Sequence, residues 1–465
     1  MSRIKGGLQA SDSSDDTLGR EDYVILAKGR VSTLSSHERE MMYDAFEAYE
    51  KMKMEKGDFD MADIVIDLHR RLRSESYEGD MMDFVYIDEV QDLTMRQVAL
   101  FKHVSNNVKD GFVFSGDTAQ TIARGIDFRF EDIKSLFYDH FIMGSRAEEN
   151  DKVKEKGHIS KIFHLSQNFR THAGVLNLAQ SVIDLLYRFF PKFVDILSDE
   201  TSLVFGETPI LLESCKDENA IITIFGNNGN VGSKFVGFGA QQVILVRDDS
   251  ARQEISGYVG KQALILTIVE CKGLEFQDVL LYGFFGISPL GKKWSVLYQY
   301  MSEQGLLDAG QPFPSFNPSK HNILCSELKQ LYVAITRTRQ RLWICENSEE
   351  FSKPMFDYWR KKGLVQVRKL DYSLATAMQV ASSQKNGSRR VISFYVSAIT
   401  RWQPCVSKEL EMSMEKNWPR LQGLKQLLTK CMLQIPKRPL LLVSKLLKFL
   451  NPLEKLSMLQ NVFSC

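Results

Sequence analysis

The sequence has 465 residues, 44% of them hydrophobic and 25% charged, which is the composition of a folded protein with room for two or three domains. Its formal net charge of +1 excludes a strong bulk attraction to nucleic acid, so any such contact has to come from a local groove. Seven cysteines are scattered without a CxxC pair or a histidine at metal spacing, which indicates a reducing compartment and no zinc site.

The first half of the sequence alternates between amphipathic helices and short apolar strands. Residues 1–20 are rich in glycine, serine and aspartate, so we expect them to be loose. Apolar residues at helical spacing then give way to apolar runs that end in polar residues. The predicted elements are helix 35–56, helix 58–73, strand 82–90, helix 94–105 and strand 111–115.

The second half repeats this alternation after a charged segment, 144–160, which has the composition of a solvated inter-domain loop. Strands that alternate with helices indicate parallel sheets covered on both faces. We therefore predict an α/β fold with a first lobe over 21–143 and a second lobe over 161–370. The predicted elements of the second lobe are strand 162–171, helix 172–190, strands 241–247, 263–269 and 278–285, and a helix from 326 that runs into a strand ending at 346.

The tail over 371–465 differs from the rest because basic residues far outnumber acidic ones. We expect an amphipathic helical appendage or a partly disordered end. A nucleic-acid-binding arm is the alternative, but the tail lacks the interleaved aromatic residues of a stacking platform. Its most apolar stretch, Leu440 to Leu450, is interrupted by lysines and is too short to span a membrane. The N-terminus has no apolar signal core, so no secretory signal is predicted.

Carboxylates follow the first predicted strand, at Asp88 and Glu89 in DEVQD. An aspartate there can position Mg²⁺ on phosphate oxygens, and a glutamate beside it can orient or deprotonate an attacking water. The second strand ends in Asp117 and Gln120, and a glutamine at that place can donate to a phosphate or to the water. Taken alone, Asp88 and Glu89 can equally form an ordinary acidic turn, and Asp117 and Gln120 can belong to a polar loop that caps a helix.

The order of the motifs is more specific than any one of them. This series resembles motifs II, III, IV, IVa, V and VI of superfamily 1 helicases of the UvrD/Rep type, and it covers about residues 55–350. The segment GDTAQTIARGIDFRFEDI (116–133) is similar to part of the helicase-like domain of large proteins with TPR and ankyrin repeats. The motifs are DEVQD (88–92), GDTAQTI (116–122), QNFRT (167–171), VILVR (243–247), KGLEF (272–276) and YVAITRTR (332–339), with DFDMADI (58–64) resembling a segment that the family carries upstream of motif II.

The resemblance implies a site that hydrolyses ATP with Mg²⁺. Asp88 would hold the Mg²⁺, and Glu89 would be the catalytic base. Gln120 would sense the γ-phosphate, and Arg170 and Arg337 would reach it from the second lobe as arginine fingers. Nucleotide binding would draw the lobes together, and hydrolysis would let them part, which moves the protein along a strand. The remaining residues implied to bind the nucleotide are Asp117, Gly273 and Glu275.

The nucleic-acid track departs from the family pattern. Where the family usually has a tryptophan shortly after motif III, this sequence has Gly125. The residues left as predicted contacts to nucleic acid are Arg124, Phe128 and Lys272. Phe128 or Phe130 can offer a ring for base stacking, and a place in the core is the alternative for both. Residues 200–240 are too few for the helical insertion of bacterial members, so contacts made by that insertion should be absent or made differently.

The main departure concerns the phosphate loop. A Walker A loop, GxxxxGK[ST], surrounds phosphates with backbone N–H groups and belongs upstream of motif II, and nothing in residues 1–87 matches it. GISPLGKK (286–293) has the glycine spacing, but it carries Lys293 instead of Ser or Thr, contains Pro289 and follows motif V. Lys261 lacks both the spacing and the hydroxyl.

The expected fold is therefore two RecA-like parallel-sheet lobes, the first without its phosphate-loop βα unit, followed by an α-helical C-terminal appendage. We expect weak or absent ATP hydrolysis by this polypeptide alone. Either a longer form of the protein carries the loop upstream, or the chain is a degenerate paralogue retained for binding.

Three functions are candidates on these grounds. The first is the core of an ATP-dependent helicase or translocase acting on single-stranded nucleic acid, with DNA favoured over RNA. The second is a binding or scaffold protein that keeps the helicase fold without the motor. The third, an unrelated α/β nucleotide hydrolase, does not account for the order of the motifs. The lysine-rich tail favours the nucleus over the cytoplasm, and no membrane contact is predicted.

Overall fold

The computed structural model describes residues 4–7, 17–29, 35–75, 77–122, 128–143, 159–213, 241–259, 263–307, 313–346, 348–369, 374 and 378. All of these residues belong to one compact unit, Met1–Phe394. We call the described residues up to 143 the first lobe and those from 159 onward the second lobe. Most of the predicted charged loop over 144–160 and of the basic tail over 371–465 lies outside the described residues.

Three helices open the first lobe. The latter two confirm the predicted helices 35–56 and 58–73, and each begins with a capping box, formed by Ser35 with Glu38 and by Asp60 with Asp63. These side chains satisfy backbone N–H groups that the first turn leaves without a partner. The helices are α1 (Arg20–Gly29), α2 (Ser36–Lys56) and α3 (Met61–Ser74).

The expectation of a loose N-terminal segment is wrong for residues 4–7. The Lys5 side chain is buried, and its ammonium group lies 2.9 Å from Glu50 and 3.2 Å from Asp60, with Asp63 also in contact. The Arg96 guanidinium donates to the Lys5 carbonyl at 3.0 Å. A buried lysine needs carboxylate partners, and these partners fix the segment against α2 and α3.

The sheet of the first lobe consists of two parallel strands that place Val85 opposite Phe112 and Ile87 opposite Phe114. One face packs on the helices around a core that includes Val85, Ile87 and Val98. Both strands were predicted, but they are shorter than the apolar runs around them. The elements are β1 (Val85–Ile87), α4 (Met95–Leu100), β2 (Phe112–Phe114) and α5 (Phe130–Leu136), with 3₁₀ turns at Val90–Asp92, Phe101–Val104 and Thr118–Gln120 and a π-helical turn at Phe137–Met143.

The second lobe contains a parallel sheet in the strand order β10-β5-β9-β8-β6-β7. Its central strands are buried on both faces, as expected for a sheet covered by helices. The elements in chain order are β3 (Gln167–Asn168), α6 (Ala173–Phe189), β4 (Thr201–Ser202), β5 (Ile210–Glu213), β6 (Gln242–Val246), α7 (Asp249–Val259), β7 (Ile265–Thr267), β8 (Phe276–Tyr282), α8 (Leu297–Glu303), α9 (Asn322–Thr336), β9 (Thr338–Cys345), α10 (Glu349–Lys361) and β10 (Gln366–Lys369), with a 3₁₀ turn at Gly291–Val296.

The two lobes meet where the turn Thr118–Gln120 packs against α9. Ala119 of the first lobe is buried within the core of the second, beside Leu328 and Leu331. The α/β class and the parallel sheets agree with the sequence prediction. Within the part of the chain that is described, we find no helix with the length and apolarity needed to cross a bilayer.

Candidate active site between the lobes

Two carboxylates mark the carboxyl end of β1. The Asp88 carboxylate accepts a hydrogen bond from the Ser115 hydroxyl at 2.7 Å, so the ends of the two parallel strands meet here. Glu89 has a left-handed backbone, with φ of 53°, and no other non-glycine residue in the described ranges has a positive φ. Such a conformation is strained for a side chain of this size, and it turns the two adjacent carboxylates out of strand geometry.

Gln91 connects these carboxylates to the loop after β2, and sequence reasoning missed it. Its buried amide donates to the Glu89 carboxylate and accepts the Asp117 backbone N–H at 3.2 Å. The chain passes so close that a Cβ added at Gly116 would lie 2.2 Å from the Gln91 side-chain oxygen. Gln91 of DEVQD and Gly116 of GDT therefore pack directly against each other, and a side chain at position 116 would clash with Gln91.

Asp117 and Gln120 form the first-lobe wall of the cleft. The Gln120 amide donates to Asp117 at 3.0 Å, and the Tyr332 hydroxyl of α9 donates to the same carboxylate at 3.2 Å. The other oxygen of Asp117 accepts the Ala119 N–H at 2.8 Å. Asp117 thus holds Gln120 in position, and its direct contact with a nucleotide stays a prediction.

Arg337 reaches Gln120 from the second lobe. It is only 1% exposed, and its guanidinium donates to the Gln120 side-chain oxygen at 2.9 Å. It also donates to the backbone carbonyls of Val333 at 3.1 Å and Leu274 at 3.3 Å, and to the Thr336 hydroxyl at 3.2 Å. Burial lowers its pKa, and the charges of Arg170 and Glu89 are near enough to affect that pKa as well.

Arg170 lies at a more open part of the same cleft. Its guanidinium pairs with Glu275 at 2.6 Å and the side chain is 41% exposed. Glu275 follows Gly273, whose φ of 77° is a left-handed conformation that glycine adopts without strain. The structure therefore brings Glu275 to Arg170, and contact of Gly273 or Glu275 with a nucleotide stays a prediction.

Lys272 points into the cleft and not onto a nucleic-acid surface. Its ammonium group lies 2.5 Å from Asp92 and 3.6 Å from Glu89, and only 7% of its side chain is exposed. The prediction that Lys272 contacts nucleic acid is not supported in this conformation, because its donors are turned to the carboxylates of the first lobe.

The other predicted nucleic-acid contacts have different outcomes. Phe128 is 1% exposed and belongs to the core of the first lobe, so the core alternative is correct and its ring is not available for a base. Phe130 packs partly against that core as well. Arg124 lies outside the described residues.

Phe169 is an exposed ring that sequence reasoning passed over within QNFRT. It is 82% exposed and directly precedes Arg170. The register of β3 with β4 pairs Asn168 with Ser202. A large exposed ring beside a cleft arginine is a candidate contact for a planar ligand. The sequence feature that could have identified it is the aromatic residue between the polar and charged residues of QNFRT.

GISPLGKK is not built to hold a phosphate. The backbone N–H groups of Phe285 and Gly286 donate to the Glu346 carboxylate at 2.8 and 3.1 Å. Burial raises the pKa of Glu346 to about 8. The first N–H group of the loop, that of Gly286, is therefore already bonded to an acidic side chain, which agrees with the sequence argument against this loop.

The oxygen atoms at Asp88 suit Mg²⁺ bound together with phosphate and water better than they suit a metal ion held by protein side chains alone. Among the residues that the structure describes, no group of three or more His, Cys, Asp or Glu side chains is arranged to hold a metal ion. Mg²⁺ is commonly held by one or two carboxylates together with phosphate oxygens and waters. The Asp88 carboxylate and the Ser115 hydroxyl supply oxygen ligands of that kind.

Family models match both lobes. The UvrD/REP helicase N-terminal domain matches residues 17–136, and the UvrD-like helicase C-terminal domain matches residues 241–349. The matched ranges contain every cleft residue described above except Phe169 and Arg170.

Individual proteins are similar to the same region. The chain is 36% identical to human (Homo sapiens) TPR and ankyrin repeat-containing protein 1 over 79% of this chain and 13% of that protein. It is 24% identical to a probable DNA helicase of Mycoplasma pneumoniae over 73% of this chain and 57% of that protein. An arterivirus helicase, nonstructural protein 10, aligns with a TM-score of 0.26 and 15% identity over 59% of this chain and 42% of that chain. The chain thus spans a small part of the human relative and just over half of the bacterial one.

Proposed function

We propose that this chain, whose two lobes match the UvrD/REP helicase N-terminal and the UvrD-like helicase C-terminal domains, is the core of an ATP-dependent motor that moves along single-stranded nucleic acid. The observation that carries the proposal is the pairing of Gln120 with Arg337 across the lobes, with Glu89 near enough to affect the pKa of Arg337. A carboxylate pair, a glutamine and a guanidinium on opposite walls of one cleft are the groups that phosphoryl transfer requires.

Each group has a distinct task in this proposal. Asp88, with the Ser115 hydroxyl, would hold Mg²⁺, which neutralises the phosphates when bound. Glu89 accepts a proton from the attacking water, and its left-handed backbone fixes where that carboxylate points. Arg337 and Arg170 donate to phosphate oxygens, because a planar guanidinium can meet two oxygens at once.

Nucleotide binding has to exchange bonds that the cleft already contains. Arg337 donates to Gln120 across the cleft and to Val333, Leu274 and Thr336 within its own lobe, so a phosphate oxygen would replace the Gln120 oxygen. The released Gln120 amide can then turn toward the attacking water. This exchange couples the occupancy of the cleft to the fit of the two lobes.

Phe169 supplies the remaining part of a nucleotide site. Its exposed ring adjoins Arg170, so we propose that it stacks on the base while the arginine meets the phosphates. Single-stranded DNA is preferred to RNA in this proposal, supported by the name of the bacterial relative, and competition between the two polymers of equal sequence would test it.

Two measurements on the purified chain test the motor proposal. A fluorescent ATP analogue reports binding, and phosphate release with single-stranded DNA present reports turnover. We expect binding that weakens at least about tenfold in Arg170→Ala, but weak or absent turnover, because no phosphate loop was found in the sequence. The control is Arg188→Ala, an arginine of similar exposure that pairs with Glu303 at 2.7 Å away from the cleft motifs.

The outcomes separate the two candidate functions. No nucleotide binding at millimolar ATP would refute the motor core and favour a scaffold. Turnover comparable to that of an intact helicase, lost in Glu89→Gln, would refute the expected weakness. The scaffold candidate is favoured by one observation, that Gln120 pairs with Arg337 and Asp92 pairs with Lys272 across the cleft. An in-frame strand–GxxxxGK[ST]–helix in the coding sequence upstream of Met1 would favour the motor.

A further inference from the structure

Lys272 reaches across the cleft to the acidic turn that follows β1. The two sides of this contact are 180 residues apart in sequence. The ammonium group lies 2.5 Å from Asp92 and 3.6 Å from Glu89, in the same turn as Asp88. One cation of the second lobe therefore neutralises carboxylates of the first.

The local backbone holds Lys272 in this direction. Cys271 before it is buried, and Gly273 after it has a φ of 77°, which ends the turn that begins after β7. The Lys272 side chain is 7% exposed, whereas Asp92 and Glu89 are 34% and 43% exposed. The carboxylates remain open to solvent ions on one side while the lysine approaches them from the other.

A divalent cation and this lysine compete for the same negative charge. Mg²⁺ or Mn²⁺ binds carboxylate oxygens, and a fixed ammonium group beside those oxygens repels the metal and occupies an acceptor. A cation held at Asp88 that also drew on the neighbouring carboxylate of Glu89 or Asp92 would thus require Lys272 to release that carboxylate. Once released, the ammonium group faces the cleft that a phosphate would enter.

We propose that Lys272 is a positioning residue that ties the second lobe to the acidic turn of the first through Asp92 and Glu89 and is displaced when a divalent cation binds. The proposal rests on the proposed nucleotide site, since Lys272 contacts Glu89, its proposed base, next to Asp88, its proposed metal ligand. It assigns Lys272 to the regulation of that site and not to nucleic-acid binding.

Mn²⁺ binding to the full chain without nucleotide tests the proposal, with free Mn²⁺ measured by electron paramagnetic resonance. Lys272→Met should lower the dissociation constant of Mn²⁺ about tenfold, because the metal then no longer competes with a charged hydrogen-bond donor for the carboxylates. Lys272→Arg keeps the charge and should stay within about twofold of the wild type. Lys272→Gln keeps a donor without the charge, so it serves as a second variant if Lys272→Met does not fold. The control is Lys292→Met, which removes an exposed pair with Glu350 at 3.0 Å.

The result that overturns the proposal is an unchanged or weaker Mn²⁺ affinity in Lys272→Met, or in Lys272→Gln if only that variant folds. Equal tightening in Lys272→Arg would also overturn it, because the charge would then be irrelevant. The readout uses no ATP, so failure of the motor proposal is visible separately: a chain that binds no nucleotide can still show the shift in Mn²⁺ affinity.

Discussion

The bond between Gln120 and Arg337 can be measured by a double-mutant cycle. The single variants are Gln120→Ala and Arg337→Ala, and their combination completes the cycle. Because the cross-lobe bond of 2.9 Å has a charged donor, we expect a coupling free energy of about 1.5–3 kcal/mol. Contacts that Arg337 makes within its own lobe appear in both arms of the cycle and cancel.

The two single variants should differ strongly in stability. Gln120→Ala removes a partly exposed amide and should cost about 1–2 kcal/mol. Arg337→Ala should cost about 3 kcal/mol or more, because it also leaves the carbonyls of Val333 and Leu274 without this donor. Unfolding in urea is followed by the fluorescence of the buried Trp294 and Trp359 and, for coincidence, by circular dichroism.

A cycle that combines Gln120 with a second-lobe arginine paired inside its own lobe supplies the control. Arg341 pairs with Asp278 at 2.6 Å inside the second lobe, so Gln120→Ala combined with Arg341→Ala should be additive within about 0.5 kcal/mol. A Gln120–Arg337 coupling inside that same limit would refute the reasoning, because the cleft would then be open in solution and the exchange of bonds would not take place.

Three further outcomes follow from single sites. Burial lowers the pKa of His103 to about 4 and also lowers that of His69, so both side chains are neutral in the folded protein at pH 7. Their contribution to the free energy of unfolding is therefore complete above pH 6.5 and decreases by about 2 kcal/mol as the pH falls toward 4. In urea unfolding at several pH values, His103→Gln should show a weaker dependence of stability on pH. Gly174→Ala should destabilise by about 1–3 kcal/mol because its Cβ would lie 2.4 Å from a backbone carbonyl oxygen, whereas Gly257→Ala, with open space, should stabilise by about 0.5–1 kcal/mol; thermal unfolding compares the two. Phe169→Ala should weaken binding of the fluorescent ATP analogue about tenfold without changing the urea midpoint, and equal affinity would exclude base stacking.

Much of the fold was legible in the sequence because its signals are local. The helix α9 that runs into β9 carries apolar residues at helical and then strand spacing, and both elements form where they were expected. The meeting of Asp88 with the loop that contains Asp117 also follows from the sequence, since adjacent parallel strands bring their carboxyl ends to one edge. Strand lengths did not follow, because β1 pairs over only Val85–Ile87 of a longer apolar run.

What the sequence could not give are contacts that depend on which surface faces which. Lys272 has the same local sequence whether it meets a nucleic acid or Asp92, and only the packing of the lobes decides. The burial of Phe128 was one of two open alternatives, because an aromatic residue suits a core and a stacking surface equally well. Lys5 was assigned to a loose segment since glycine and serine surround it, and its three carboxylate partners come from α2 and from the start of α3.

The pairing of the cleft groups with one another determines how a ligand can act on this fold. Arg337 with Gln120, and Lys272 with Asp92, are charge-assisted contacts that already satisfy both lobes. In the proposed motor, a nucleotide with its cation would add favourable contacts only by breaking these, so the free energy of lobe movement would be the difference between two similar sets of bonds. Such a difference would be small compared with either set, which would let the cleft open and close repeatedly. A chain that kept only the internal pairs would hold the same lobes together as a static scaffold, so the effect of Lys272→Met on cation binding and the coupling of Gln120 with Arg337 together report which of the two states selection has retained.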